Sequence, residues 1–104
     1  MSQIETIDSN PSEKSIDNWY LVTVRSKKRE LFLKYLNIAI SQNQLQDLVI
    51  EIKIPQEAVY QDIVLLKTSN FKTVYIQLKN IECFQNIERK PLAPQQVNRM
   101  LGIT

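Results

Sequence analysis

The sequence predicts an α+β fold, in which short strands form an antiparallel sheet and helices pack against it. Residues 19–25 and 48–54 alternate side chains in the manner of strands, whereas residues 27–43 carry apolar side chains at helical spacing. A further helix is indicated by Pro94, because proline is favoured in the first turn of a helix. Both periodicities occur within 104 residues, a length that suits one small domain.

Charge and composition divide the chain into a tail and a body. We expect residues 1–18 to be a disordered tail, because they are polar and too poor in apolar residues to offset chain entropy. The tail has one base and four acids, a charge of −3, and residues 19–104, the predicted folded domain, carry +5. A basic body is typical of proteins that work near nucleic acid, and equally of ordinary solubility. The single cysteine and the absence of a ~20-residue apolar run predict a soluble, cytoplasmic protein without disulfides.

The first strand and first helix follow one another. Residues 19–25 form a strand with Tyr20, Val22 and Val24 on one face and Trp19, Leu21, Thr23 and Arg25 on the other. Ser26 is the expected N-cap of a helix over 27–43. Its apolar stripe is Phe32, Leu36, Ala39 and Ile40, widened by Leu31, Tyr35 and Ile38. This width predicts a half-buried helix.

Two more strands are expected next. Residues 48–54 should turn Leu48, Ile50, Ile52 and Ile54 to the core and Val49, Glu51 and Lys53 outward. Pro55 ends this strand because it lacks a backbone donor. Residues 62–68 form the next strand, and the short connection favours an antiparallel hairpin.

Residues 70–80 fit two secondary structures. Phe71, Val74, Tyr75 and Leu78 have helical spacing, but Val74, Ile76 and Leu78 also alternate as in a strand. The β-branched content favours a strand, whereas a cap at Ser69 or Asn70 favours a helix. Beyond this segment we predict a strand over 81–87, with Cys83 as a small core residue, and a helix from Pro94 to Gly102.

Catalytic chemistry is not expected. The chain has no histidine, which removes the usual general base, and one cysteine, which leaves zinc without a ligand set. One glycine cannot build a phosphate-cradling loop. We therefore predict a protein that is not an enzyme and that takes no cofactor, metal or small-molecule substrate.

Two surfaces are candidates for binding. The first is a basic turn, Arg25, Lys27, Lys28 and Arg29, which would either contact phosphates or remain a solvated turn. The second is the other sheet face, with Leu21, Thr23, Val49, Ile63 and Leu65, and with Tyr60 and Phe84 at its margin. It would either be an apolar docking patch or be core covered by the terminal helix.

Four phrases resemble, in order, the N-terminal domain of the NusG family of transcription elongation factors. They are NWYLVTV (18–24), DLVIEIKIPQEAVY (47–60), IECFQNI (81–87) and KPLAPQQVNRML (90–101). The resemblance covers residues 18–104 and implies a helix at 70–80. The complete order is then a ferredoxin-like βαββαβ sheet with an added C-terminal helix.

The resemblance also implies a function. Such domains dock on the clamp helices of RNA polymerase through a hydrophobic patch, with a basic edge near the upstream DNA, in elongation and antitermination. The matching polymerase contacts are Leu21, Tyr60, Ile63, Leu65 and Phe84, and those near DNA are Arg25, Lys27, Lys28 and Arg29. DNA contact should be weak and independent of sequence.

The sequence departs from the family in four respects. The long hairpin before the third strand is absent, and the Ser-Gly-x-Glu opening of the first helix reads Ser26, Lys27, Lys28, Arg29. The family's Phe-Pro-Gly-Tyr phrase is replaced by Tyr60, Gln61, Asp62 and Ile63. We also expect no KOW barrel, and therefore a stand-alone, divergent member. The alternative hypothesis is a ferredoxin-like interaction module with a partner other than polymerase.

Overall fold

A computed structural model describes residues 17–103 of the chain, and these form an α+β fold of a four-stranded antiparallel sheet and three helices. The elements are β1 (Asn18–Val24), α1 (Arg29–Gln42), β2 (Glu51–Lys53), a 3-10 turn (Ala58–Tyr60), β3 (Ile63–Thr68), α2 (Phe71–Leu78), β4 (Phe84–Ile87) and α3 (Pro94–Leu101). The predicted tail lies outside the described residues except at its end, where Asn18 already belongs to β1. No helix within 17–103 has the length and apolar character needed to cross a bilayer.

The sheet has the strand order β2-β3-β1-β4, and all neighbouring strands are antiparallel. The long strands β1 and β3 lie at its centre, with Leu21 opposite Leu65 and Val22 opposite Val64. The shorter strands β2 and β4 form the two edges. Because side chains alternate along each strand, the two central strands supply apolar residues to both faces of the sheet.

The main core lies between one sheet face and helices α1 and α2. It contains Tyr20, Val22 and Val24 of β1, which confirms the predicted alternation of that strand. The helices contribute Phe32 and Leu36 from α1 and Val74 and Leu78 from α2, each at most 1% exposed. Burial of these side chains provides most of the driving force for folding.

The segment over 70–80 is helical, as the family resemblance implied. Asn70 caps α2, since its side-chain oxygen accepts a hydrogen bond from the backbone N–H of Thr73 at 3.1 Å. Val74 and Leu78 lie one turn apart and both reach the main core. Tertiary burial of this stripe and the cap together outweigh the strand preference of the β-branched residues.

The start of α1 differs from the prediction. Ser26 does not cap the helix, which begins at Arg29 with Lys28 at the N-cap position and no side-chain cap. Before it, the N–H of Lys28 donates to the carbonyl of Arg25 at 3.0 Å, and Lys27 has a φ of +62°. A tight turn therefore occupies the residues that were expected to form the first helical turn.

The predicted faces of β2 are wrong at its first residues. Val49 is buried in the main core, whereas Ile50 is 45% exposed. The N–H groups of Leu48 and Val49 both donate to the carbonyl of Leu45, at 2.9 and 2.8 Å, so a turn precedes the strand. This turn breaks the alternation at Val49 and Ile50, whereas within the short strand Ile52 packs against the main core and Glu51 and Lys53 are largely exposed, as predicted.

The last strand is also shorter than predicted. Cys83 has a φ of +76°, which ends the preceding turn in a left-handed conformation and excludes this residue from β4. Its side chain is nevertheless buried in the main core, as expected. The final helix α3 follows the prediction, because it begins at Pro94 and ends at Gly102 with a φ of +72°.

Candidate protein and nucleic-acid interfaces

The predicted basic turn is present, but its cations do not form one surface. Arg25, Lys27 and Lys28 are exposed, and Arg29 is half-buried. The N–H of Arg25 donates to the carbonyl of Cys83 at 2.9 Å, which fixes the backbone of Arg25 to the residue before β4. The turn is thus anchored at one end against the segment that leads into β4.

Arg29 has a structural role. Its Nη1 donates to three backbone carbonyls, those of Pro55 at 3.0 Å, Tyr60 at 3.0 Å and Ile63 at 3.1 Å. All three acceptors lie in the connection between β2 and β3 or at the start of β3. The guanidinium therefore ties the first residue of α1 to that connection. This end of the Arg29 side chain is engaged by backbone carbonyls and is therefore less available for the predicted DNA contact.

Lys27 points to a different part of the surface from Lys28. Its backbone N–H donates to the Asp62 carboxylate at 3.0 Å, and its side chain lines a shallow pocket of about 230 Å³ together with Glu30 and Asp62. Arg29 also lines this pocket, so two cations face two carboxylates, which leaves little net positive potential there. This pocket is a poor site for a phosphate.

A larger groove lies on the other side of the turn and has a volume of about 750 Å³. Its lining residues come from the basic turn, the first half of α1 and the α2–β4 connection: Arg25, Lys28, Leu31, Tyr35, Lys79, Asn80, Ile81, Glu82, Cys83 and Phe84. Three cations face one carboxylate, and two aromatic rings line the same groove. Cations bind phosphates and aromatic rings stack on bases, so this set suits a nucleic-acid strand. We name it the basic groove.

The sequence did not point to two members of the basic groove. Lys79 follows the last residue of α2, where a lysine is common because it interacts favourably with the helix dipole, so its position gives no functional signal. Tyr35 was assigned to the buried stripe of α1, yet it is only half-buried and lines the groove. Only the packing of α1 against the α2–β4 connection joins them to Arg25 and Lys28.

The second predicted surface, the open sheet face, is covered. Leu65 is fully buried and packs with Val97 and Met100 of α3, so its predicted exposure is wrong. The structure has the covered arrangement that the sequence left as an alternative, with the terminal helix lying on this face. An amphipathic helix and a sheet face rich in apolar residues bury each other, which removes both from water.

The remaining predicted polymerase contacts divide between two clusters. Leu21, Tyr60 and Ile63 are half-buried around the α3 cluster. Phe84 packs instead against the main core and lines the basic groove. Val49 was predicted on the same sheet face, though not as a polymerase contact, and it is also buried in the main core. The five predicted residues therefore do not form one continuous patch, and only Leu21, Tyr60 and Ile63 form a partly exposed margin beside α3.

Metal-binding clusters are not found in the described part of the chain, where no group of three or more His, Cys, Asp or Glu side chains could hold an ion. No protein-family model matches the sequence, and no curated protein is significantly similar to it.

Proposed function

We propose that this protein is a divergent factor of the NusG N-terminal-domain type with a ferredoxin-like fold that binds RNA polymerase in the cytoplasm. The strand order β2-β3-β1-β4 supports the fold assignment. In it α1 connects β1 to β2 with β3 between them, and α2 connects β3 to β4 with β1 between them. A split βαβ arrangement requires this interleaving, which therefore supports the proposed fold. The helix over 70–80, which the resemblance required against local β propensity, is the observation that carries the proposal.

The polymerase contact is proposed for the margin of α3. Leu21, Tyr60 and Ile63 keep part of their apolar surface exposed there, and an apolar anchor of this kind suits the tip of a coiled coil. Replacing Leu21 by Asp should weaken association with purified core polymerase at least ~10-fold. Ile76→Asp is the matched control, because Ile76 is 47% exposed on α2, on the other side of the sheet. Binding by the folded Leu21→Asp protein at parental affinity would show that the contact lies elsewhere.

The basic groove is the proposed site of the DNA contact. Lys28→Glu should abolish most binding to a single-stranded oligonucleotide, whereas Lys27→Glu should change it little, since Lys27 already lies beside Glu30 and Asp62. The two changes alter net charge equally, so a charge effect of the whole protein cannot distinguish them. Lys28→Glu should also reduce the slope of log affinity against log salt by roughly 1. Equal losses from both variants would contradict the assignment of the groove.

A second candidate function is an interaction module with a partner other than polymerase. α3 covers Leu65, so only a margin of the apolar sheet face remains exposed. Polymerase docking requires the broad face, and its covering therefore favours the interaction module. An affinity experiment with purified core polymerase separates the two hypotheses. Failure of the parent protein to bind, with the fold intact by circular dichroism, would leave the interaction module as the better proposal.

A further inference from the structure

Among residues 17–103, the outer edge of β2 has backbone groups without a partner, which can accept another strand. β2 is an edge strand, and within residues 17–103 it pairs only with β3. The N–H of Ile50 donates to the carbonyl of Lys67 at 2.9 Å. Glu51 and Lys53 lie opposite Lys67 and Leu65, the β3 residues whose backbone groups face β2, so Glu51 and Lys53 direct their backbone groups to β3 and Ile52 directs its own away from it. An exposed edge of this kind is a template for pairing with a further strand.

The sequence of this edge is complementary to itself. Residues 50–54 read Ile-Glu-Ile-Lys-Ile, with Ile52 at the centre and charges of opposite sign on either side. If a second copy pairs antiparallel about a two-fold axis at Ile52, Glu51 of each copy lies opposite Lys53 of the other. Ile52, whose backbone groups point outward, then exchanges N–H···O bonds with Ile52 of the second copy, so the same register forms hydrogen bonds and ion pairs. We propose that two copies of this chain form a symmetric dimer through their β2 edges.

Other registers are less favourable. An axis through Glu51 or through Lys53 would set like charges directly opposite each other, which is destabilising. If the axis lay between two residues instead, charged residues would lie opposite Ile52. The helix-covered faces of the two sheets would then point to opposite sides of the combined sheet. The charges that usually protect an edge strand from pairing therefore permit one arrangement here, that of a second copy.

The side chains of the edge are available for such contacts. Glu51 and Lys53 are 46% and 41% exposed, and their charged groups are 3.7 Å apart on the same face of the strand. Ile50, which is 45% exposed, would lie opposite Ile54 of the second copy and lose contact with water. Both the ionic and the apolar residues of this edge thus gain partners in the proposed dimer.

The dimer should be weak. Pro55 follows the complementary segment and has no N–H, so pairing stops there and the interface spans only residues 50–54. A contact of this length falls below the ~1,200 Å² of a standard interface, and we expect a dissociation constant on the order of 10–100 μM. Sedimentation of the full chain over a concentration series should show the mass rising from 12.2 kDa toward twice that value.

Charge exchange provides the decisive test. Glu51→Lys or Lys53→Glu should each weaken self-association roughly 10- to 100-fold, because each change makes both cross-strand pairs repulsive. An equimolar mixture of the two variants should associate again, since every Lys then faces a Glu of the other chain. The double variant Glu51→Lys/Lys53→Glu should also dimerise, and it tests the proposal even if one single variant fails to fold.

The control pair carries the same charge changes elsewhere. Glu30→Lys and Lys34→Glu lie on exposed positions of α1 and should leave self-association unchanged, alone or mixed. The proposal is overturned if the parent remains a monomer throughout the series, or if the single variants associate as strongly as the parent. It is also overturned if the mixture and the double variant, folded by circular dichroism, both stay monomeric.

Discussion

Arg29→Met should destabilise the domain substantially. Arg29 begins α1, and its Nη1 donates to the carbonyls of Pro55, Tyr60 and Ile63 at 3.0, 3.0 and 3.1 Å. Methionine keeps much of the apolar stem but provides no donor, so the three carbonyls lose their shared partner. The substitution removes the one observed side-chain link between α1 and the β2–β3 connection among the described residues.

The magnitude follows from the number of hydrogen bonds that one nitrogen can make. Nη1 has two hydrogens, so its three acceptors share two bonds, and a bond to a charged group contributes about 1.5–3 kcal/mol. Arg29 is half-buried, and water can replace part of what is lost. We expect the free energy of unfolding to fall by about 2–3 kcal/mol. For a domain of this size that lowers Tm by roughly 10–20 °C.

Thermal and urea unfolding followed by circular dichroism measure this change. Lys28→Met is the matched control, because Lys28 is the adjacent, exposed cation and should alter stability by less than about 0.5 kcal/mol. The opposite pattern is expected for oligonucleotide binding, which should depend on Lys28 and be nearly independent of Arg29 in protein that remains folded. Parental stability of Arg29→Met, combined with loss of oligonucleotide binding, would refute the structural role of this guanidinium.

Two further changes test the core and the cap. Leu65→Ala should lower the free energy of unfolding by about 2–5 kcal/mol, because Leu65 is fully buried beneath α3; a loss below about 1 kcal/mol in urea unfolding would mean that α3 is not packed on this face in solution. Asn70→Ala should cost about 1 kcal/mol through loss of the 3.1 Å bond to the N–H of Thr73. Asn70→Asp, which keeps an acceptor, should preserve stability, and equal losses for both variants would exclude the capping bond as the cause.

The central part of the fold was predictable because the periodicity of its strands and helices is uninterrupted. In β1, Tyr20, Val22 and Val24 alternate without a break, so their common face follows from the sequence alone. The 70–80 segment was different, since its residues fit both periods and local propensity favoured the wrong one. There the cap at Asn70 and the family resemblance decided the outcome correctly.

The errors occurred where a turn changes the phase of the pattern. Val49 and Ile50 exchanged faces because a hydrogen-bonded turn at Leu45 precedes β2, and alternation read backward from the strand cannot detect it. Leu65 was misassigned for another reason. A strand that is apolar on both faces has the same sequence whether its second face is covered by a helix of the same chain or by a partner.

The composition of the basic turn was predictable, but its geometry was not. Arg25, Lys27, Lys28 and Arg29 are adjacent in sequence, yet the turn at Lys27 sends them to different surroundings. Arg29 binds backbone carbonyls, Lys27 lies beside carboxylates, and Arg25 and Lys28 enter the basic groove. A count of charges treats the four cations as equivalent. Long-range packing determines which of them has a positive potential that nearby carboxylates do not cancel.

The proposed nucleic-acid surface and the proposed dimer surface lie at opposite edges of the sheet. Cys83 and Phe84, in the basic groove, lead into β4 at one edge, whereas Glu51 and Lys53 belong to β2 at the other. Three strand spacings, roughly 14 Å, separate these edges. A dimer through β2 therefore leaves the groove of each copy open, and one dimer could bind a nucleic-acid strand at two grooves. When both grooves of a dimer reach the same nucleic-acid strand, two weak contacts combine into a stronger one. Because the two surfaces are separate, the β2 variants should change dimerisation and the groove variants should change DNA binding when each is measured alone.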